Sequence, residues 1–270
     1  MNEENINKLV FICGAPRTGS SFLYNSICSS NLFNKALTEN HFISNQISVL
    51  KKQIGRNKKE HFMHFQDPNY TIGFFKKIIY QYLLNLLNKH KTNNLCLKSI
   101  LFSFDSNIIS SMFPYAYFIF IVRDPRDTIS SMLDVSKKQI EMQLKPNYPR
   151  NMKILCEFIN NHYDYILNPK TESSSKNIII IKYEDLSNKT INVLNDIMDK
   201  INLNYLYKDD ENLWSNSDNI NQDPQNPYKS DLWLQKPSTE RIGVYKTKLT
   251  PEEIELINGM CINLINKFNY

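Results

Sequence analysis

The sequence predicts an α/β fold in which a central parallel sheet is flanked by helices. Three observations carry that prediction. Continuous apolar runs that read as buried strands recur at residues 9–13 (LVFIC) and 116–122 (AYFIFIV), and as IIII within 177–182. Each run is followed by a segment with helical periodicity or helix-start signals. The first run is joined to its helix by a glycine-framed loop, Gly14-Ala15-Pro16-Arg17-Thr18-Gly19-Ser20-Ser21.

In chain order, residues 9–13 form the first strand, and the amphipathic stretch 22–30 the helix after the loop. Residues 31–59 are polar and are assigned no element; they include Leu37-Thr38-Glu39-Asn40-His41-Phe42. Residues 74–87 are aromatic and apolar at helical spacing. A short alternating strand at 94–98 and a short helix at 103–112 come next, then the strand at 116–122. Arg123-Asp124-Pro125 opens a helix, with Asp at the start and Pro in the first turn. A long helix follows at 151–167 and a polar loop at 171–176. After the strand at 177–182, Tyr183-Glu184-Asp185-Leu186 leads into a helix that runs to about residue 200. Residues 205–237 are irregular and contain Trp214 and Trp233. An amphipathic helix closes the chain at 251–268, with Thr250 as N-cap and Glu253 completing a capping box. No repeat or domain boundary interrupts this order. Residues 1–270 therefore read as a single domain, with 204–236 as an inserted loop over the site.

The chain has 270 residues, 41% hydrophobic, enough for a sizeable core. Its net charge of +5 favours anionic ligands modestly and is too evenly spread to argue for nucleic acid. Five cysteines (Cys13, Cys28, Cys96, Cys156, Cys261) lack C-x-x-C pairing, so buried inert thiols in a reducing compartment are expected. The polar, acidic start and the lack of a membrane-length apolar run predict a cytoplasmic protein with no membrane span.

The chemistry begins at the glycine loop. Its spacing is that of the phosphate-binding P-loop, which wraps backbone N–H groups around an anion at a helix N-terminus. Ser20 stands where that loop carries a lysine, the group that reaches the β- and γ-phosphates of a nucleoside triphosphate. A nucleotide-like anion other than ATP or GTP is therefore expected. Arg17 can fork two oxygens of an anion, and Ser20 and Ser21 add hydroxyl donors. The second feature, Arg123 to Ser131, also sits where a buried strand meets a helix. Parallel strands bring such ends to one sheet edge. Arg123 and Ser131 are eight residues apart, about two helical turns, so both can serve the ligand of the first loop. Arg126 and Asp127 read as solvated helix charges.

These two motifs, with Arg241-Ile242-Gly243-Val244-Tyr245-Lys246 near the carboxyl end, resemble the sulfotransferases that use 3′-phosphoadenosine 5′-phosphosulfate (PAPS). The motif style is closest to bacterial and carbohydrate-type members, and the likeness extends over about residues 9–257. It implies a P-loop-like sulfotransferase fold with PAPS as co-substrate. Arg17, Thr18, Gly19, Ser20, Ser21 and Phe22 would hold the 5′-phosphosulfate, and Arg123 and Ser131 the 3′-phosphate. Arg241, Gly243, Tyr245 and Lys246 would complete that clamp. Many members carry Lys where this chain has Arg17, which suggests charge stabilisation there rather than proton donation. Glu39-Asn40-His41-Phe42 resembles a family stretch whose glutamate is the general base. His41 is the rival base, or a histidine packed beside Phe42. Lys98-Ser99 resembles a K-S-P stretch, with Ile100 in place of Pro; Lys98 would stabilise the leaving group. The implied reaction is in-line sulfuryl transfer to a hydroxyl or amine of a small-molecule or carbohydrate acceptor. A sulfuryl group carries less charge than a terminal phosphoryl group, so no metal is required.

Two alternatives stay open on the sequence. A small P-loop kinase would need Asp124 or Asp127 for Mg²⁺. A non-catalytic nucleotide-binding module would keep the phosphate clamps and lack a base, so Glu39 discriminates. The acceptor loops are expected at 40–75, 137–150 and 204–236. Phe62, Phe65, Tyr70, Phe74, Phe75, Tyr148, Trp214 and Trp233 are the aromatics available to stack on an acceptor, with Phe74 and Phe75 better placed in the core. His61, His64 and His90 lie outside every motif.

Overall fold

The computed structural model describes residues 6–55, 63–65, 67–168, 177–208, 227–228 and 238–270. Four parallel strands, β1 (Lys8–Cys13), β2 (Asn94–Lys98), β3 (Tyr117–Val122) and β4 (Ile178–Lys182), lie in the order β2-β1-β3-β4. Ile12 sits between Lys98 on one side and Ile119 on the other. Flanked on both edges and covered on both faces, β1 shows no exposure from Leu9 through Ile12, as its unbroken apolar run predicts. β4 is an edge strand, and Ile180 is correspondingly exposed.

The pleat sends alternate side chains to opposite layers. Leu9, Phe11, Phe118 and Phe120 face one cluster with α2 (His41–Ile54), α3 (Pro68–His90), α4 (Phe102–Met112), α5 (Pro125–Glu141) and α6 (Met152–Leu167). Val10, Ile12, Ile119 and Ile121 face the other, with α1 (Ser20–Cys28), α7 (Tyr183–Asn188) and α8 (Thr190–Lys200). The chain closes with α9 (Tyr245–Lys248), α10 (Pro251–Met260) and α11 (Ile262–Phe268).

Several elements differ from the sequence reading. The polar stretch 31–59 contains α2, which buries only Ile43, Ser44, Ile47 and Leu50. Asn40 caps it, accepting from the Ile43 N–H at 3.2 Å. α3 begins earlier than expected, because Asp67 accepts from the Tyr70 N–H at 2.9 Å and Pro68 occupies the first turn. The expected 183–200 helix is two, α7 and α8, and the closing helix is broken at Cys261. The Thr250–Glu253 capping box is present. Phe75 is core, whereas Phe74 is 45% exposed. Most of 204–236, including Trp214 and Trp233, lies outside the described residues, as do Phe62, His61 and 171–176.

All five cysteines are buried and free. Among the described residues no helix is long and apolar enough to cross a membrane. No group of three or more His, Cys, Asp or Glu among them could hold a metal ion.

Candidate active site

The loop from β1 to α1 is held by backbone conformation and by its neighbours. Gly14 has φ +138°, and a Cβ there would lie 2.6 Å from the Ile121 carbonyl oxygen. Gly19 has φ +89°, and its Cβ would lie 2.7 Å from Cδ2 of Tyr183. Arg17, between them, has φ +70°, a region that costs a side-chain-bearing residue free energy. The Gly14 N–H donates to Ser103 Oγ at 2.9 Å, and the Ala15 N–H to the Tyr163 hydroxyl at 3.3 Å. Tyr163 in turn donates to the Ile121 carbonyl at 2.9 Å. Buried Thr18 donates to the Ala15 carbonyl at 2.7 Å, so its hydroxyl closes the loop on itself. The loop delivers the chain into α1, whose N-terminus at Gly19 has no side-chain cap. An uncapped helix start leaves its N–H groups and partial positive charge for an anion. Ser20, Ser21 and Phe22 form its first turn.

Three segments distant in sequence meet beside this loop. Arg123, 6% exposed at the end of β3, donates from Nη1 to the Arg17 carbonyl at 2.9 Å and from Nη2 to the Arg241 carbonyl at 2.5 Å. Its guanidinium carbon lies 4.3 Å from the centre of the Tyr183 ring. Its Nε is buried with no hydrogen-bond partner among the described residues. Arg17 donates from Nε to Ser131 Oγ at 3.3 Å and from Nη1 to the Tyr228 carbonyl at 3.1 Å. Burial lowers the Arg17 pKa from its ordinary value, and nearby Arg123 acts in the same direction. Arg17, Arg123, Ser131 and Arg241 are thus in one place.

Arg126 and Asp127 are not solvated. The Arg126 guanidinium is bonded to Asp124, with Nη2–Oδ2 at 2.7 Å, and the two side chains are 14% and 11% exposed. It also lies 4.6 Å from the centre of the Tyr245 ring. Asp127, 2% exposed, accepts from the Gly243 N–H at 2.6 Å and the Tyr245 N–H at 2.9 Å. The physical reason is tertiary: the 241–248 segment folds over the start of α5. Tyr245 is therefore buried beneath Arg126, while Lys246 points to solvent.

Glu39 and Lys98 meet at the next strand end. The Asn40 N–H donates to the Lys98 carbonyl at 2.8 Å, which docks the 39–40 backbone against the end of β2. Lys98 Nζ then lies 2.5 Å from Glu39 Oε1, with the two side chains 10% and 30% exposed. Ile100 stands at the proline position, and the turn is held by Ser99, whose Oγ accepts from the Leu101 N–H at 3.2 Å. His41 is exposed as the first residue of α2, and Phe42 stacks on Tyr82 with ring centres 4.3 Å apart. Burial pushes the Tyr148 phenol up to about 12; neighbouring Tyr228 and Glu39 act in the same direction and Arg17 against it.

The sequence assigns no site role to Tyr183, Tyr163 or Ser103, and Asp127 reads there only as a solvated helix charge or a Mg²⁺ ligand of the kinase alternative. Tyr183 directly follows β4, and the rule that ligands meet the carboxyl ends of strands was a signal for it. Ser103 and Tyr163 carry no local signal, because their partners lie 89 and 148 residues away.

A model of the sulfotransferase family matches residues 10–207. The chain belongs to this family. Comparison with curated proteins returned no match. Among solved structures, the sulfotransferase is similar to the sulfotransferase domain from the curacin biosynthetic pathway, with 18% identity and a TM-score of 0.60 over 94% of this chain and 97% of that one. It is similar to the sulfotransferase domain of the Synechococcus PCC 7002 olefin synthase, with 16% identity and a TM-score of 0.59 over 97% of each chain. Mouse sulfotransferase SULT7A1, complexed with PAP, has 14% identity and a TM-score of 0.54 over 96% of this chain and 85% of that one. These likenesses speak for the fold: a parallel sheet flanked by helices, with the P-loop-like turn after β1.

Proposed function

We propose that this sulfotransferase moves the sulfuryl group of PAPS to an acceptor hydroxyl by in-line displacement, with Glu39 as the general base. The observation that carries the reading is the meeting of Arg17, Arg123, Ser131 and Arg241 beside an uncapped helix start, one strand away from the Lys98–Glu39 pair. The buried Arg123 Nε has a donor to give, so the cluster suits a phosphate. In this reading Arg123, Ser131 and Arg241 hold the 3′-phosphate, and the 14–22 loop holds the 5′-phosphosulfate.

The acceptor oxygen forms its bond to sulfur as the bond from sulfur to the 5′-phosphate oxygen breaks. The acceptor proton goes to Glu39, and the leaving electron pair stays on the phosphate of adenosine 3′,5′-bisphosphate. Lys98 serves twice: it keeps Glu39 paired beforehand and offers positive charge where the leaving oxygen becomes negative. Arg17 steadies the sulfuryl oxygens without supplying a proton. Exposed His41 has no such partner geometry and is the weaker base. No metal takes part. Tyr228, whose carbonyl accepts from Arg17 Nη1 at 3.1 Å, closes the cluster beside the loop. The acceptor is a small molecule or a carbohydrate.

Incubation with PAPS and a panel of alcohols, phenols and sugars, with adenosine 3′,5′-bisphosphate release followed by chromatography, tests this. Arg17→Ala is expected to lower turnover by about 10²–10³. Wild-type turnover in that variant would overturn the assignment.

A further inference from the structure

We infer that Asp127 is a positioning residue that builds the 3′-phosphate clamp, by filling the anion-binding turn of the late loop with its own carboxylate. The inference rests on the PAPS reading above and concerns how the clamp holds its shape. Gly243 has φ +76°, and Val244 after it is in the right-handed helical region, φ −63° and ψ −25°. A left-handed residue followed by a right-handed one turns alternate backbone N–H groups toward a common point, the concavity that holds anions in phosphate sites. Here the N–H groups of Gly243 and Tyr245 converge on Asp127, one to each carboxylate oxygen, at 2.6 and 2.9 Å.

Asp127 lies in the first turn of α5, where an acidic side chain ordinarily serves its own helix start. Both of its oxygens instead reach residues 116 and 118 positions away. At 2% exposure it is shielded from water, so this contact is its main compensation for burial. Two residues before Gly243, the Arg241 carbonyl receives Arg123 Nη2 at 2.5 Å. Asp127 and Arg123 thus fasten the same loop at adjacent points, both from the β3–α5 junction. The late loop carries a glycine for its backbone shape, and the N–H groups that shape exposes belong to Asp127. Ligand phosphate is left to the side chains of Arg123, Ser131 and Arg241, whose spacing depends on the Asp127 anchor. Substituting the amide for the carboxylate would present NH₂ to one of the two N–H groups, leaving that donor unpaired.

Calorimetric titration of the full chain with adenosine 3′,5′-bisphosphate and with 5′-AMP separates the outcomes. Asp127→Asn is expected to weaken the bisphosphate by at least about tenfold while 5′-AMP changes less than about twofold. Gly243→Ala, where nothing lies within 4 Å of the new Cβ, alters only the backbone shape and is expected to give the same selective loss. The double variant is expected to lose no more than the worse single one, because the two act on one contact. Unchanged bisphosphate affinity in Asp127→Asn would overturn the inference. So would tighter binding, the result if the buried carboxylate merely repels phosphate, or an equal loss for both nucleotides, the result of general destabilisation. If Asp127→Asn does not fold, the Gly243→Ala result decides on the same terms. Failure of the wild-type chain to prefer the bisphosphate over 5′-AMP would count against the PAPS reading itself.

Discussion

Arg123→Lys keeps the charge at the end of β3 and removes the planar fork, so it isolates geometry from electrostatics. The guanidinium donates to two carbonyls on different segments, Arg17 at 2.9 Å and Arg241 at 2.5 Å, and lies on the Tyr183 ring at 4.3 Å. A hydrogen bond from a charged group contributes about 1.5–3 kcal/mol, and a cation over an aromatic ring about 0.5–2 kcal/mol. A lysine ammonium is a single point and satisfies one carbonyl, so one bond and most of the stacking are lost. The contributions overlap, and the expected total is about 2–4 kcal/mol. Part falls on folding, since Arg123 ties the loop, β3 and the late segment together, and part on ligand affinity. Urea unfolding is expected to show a stability loss of about 1–2 kcal/mol, and calorimetry a loss of about thirtyfold or more in affinity for adenosine 3′,5′-bisphosphate. A variant within about 0.5 kcal/mol of wild-type stability and about threefold of its affinity would refute the bridging role.

Glu39→Gln is expected to lower turnover by about 10²–10⁴ in the PAPS assay while bisphosphate affinity stays within about threefold, since the base acts on the acceptor. Gly19→Ala is expected to destabilise by about 1–3 kcal/mol in thermal melts, because φ is +89° and the new Cβ would lie 2.7 Å from Tyr183, itself the platform for Arg123. His162, between the rings of Phe104 and Phe158, has its pKa lowered from 6.5 to about 4 by burial. The unfolded chain therefore binds the extra proton first, and stability present above pH 6.5 is lost as pH falls toward 4, by about 3 kcal/mol. Urea titrations across that window are expected to show the slope, and His162→Phe to flatten it.

The strands and the glycine loop were legible because their signals are local. A doubly flanked strand such as β1 is apolar and buried from Leu9 through Cys13, and Gly14 and Gly19 stand where a side chain would collide with Ile121 or Tyr183. Arg17, Arg123 and Ser131 could be placed together because parallel strands end on one edge. α2 was hidden because its buried Ile43, Ile47 and Leu50 sit among Lys, Gln, Ser and Asn side chains. Arg126 and Asp127 were misread for a nonlocal reason. Charges in a first helical turn face water by default, and only the return of residues 241–248 over α5 buries them. The Lys98–Glu39 pair lies between these cases. Each residue is flagged by its own motif, but their 2.5 Å contact depends on the Asn40 backbone docking onto the end of β2.

That the 14–21 loop, Arg123 and Ser131 form one site for a 3′-phosphorylated adenosine donor is tested most directly by calorimetric titration of the wild-type chain. Adenosine 3′,5′-bisphosphate, 5′-AMP and Mg²⁺-ATP are compared under the same conditions. The expected result is one site for the bisphosphate, at least about tenfold tighter than 5′-AMP and independent of Mg²⁺. Tighter binding of Mg²⁺-ATP, or no binding of the bisphosphate, would contradict it.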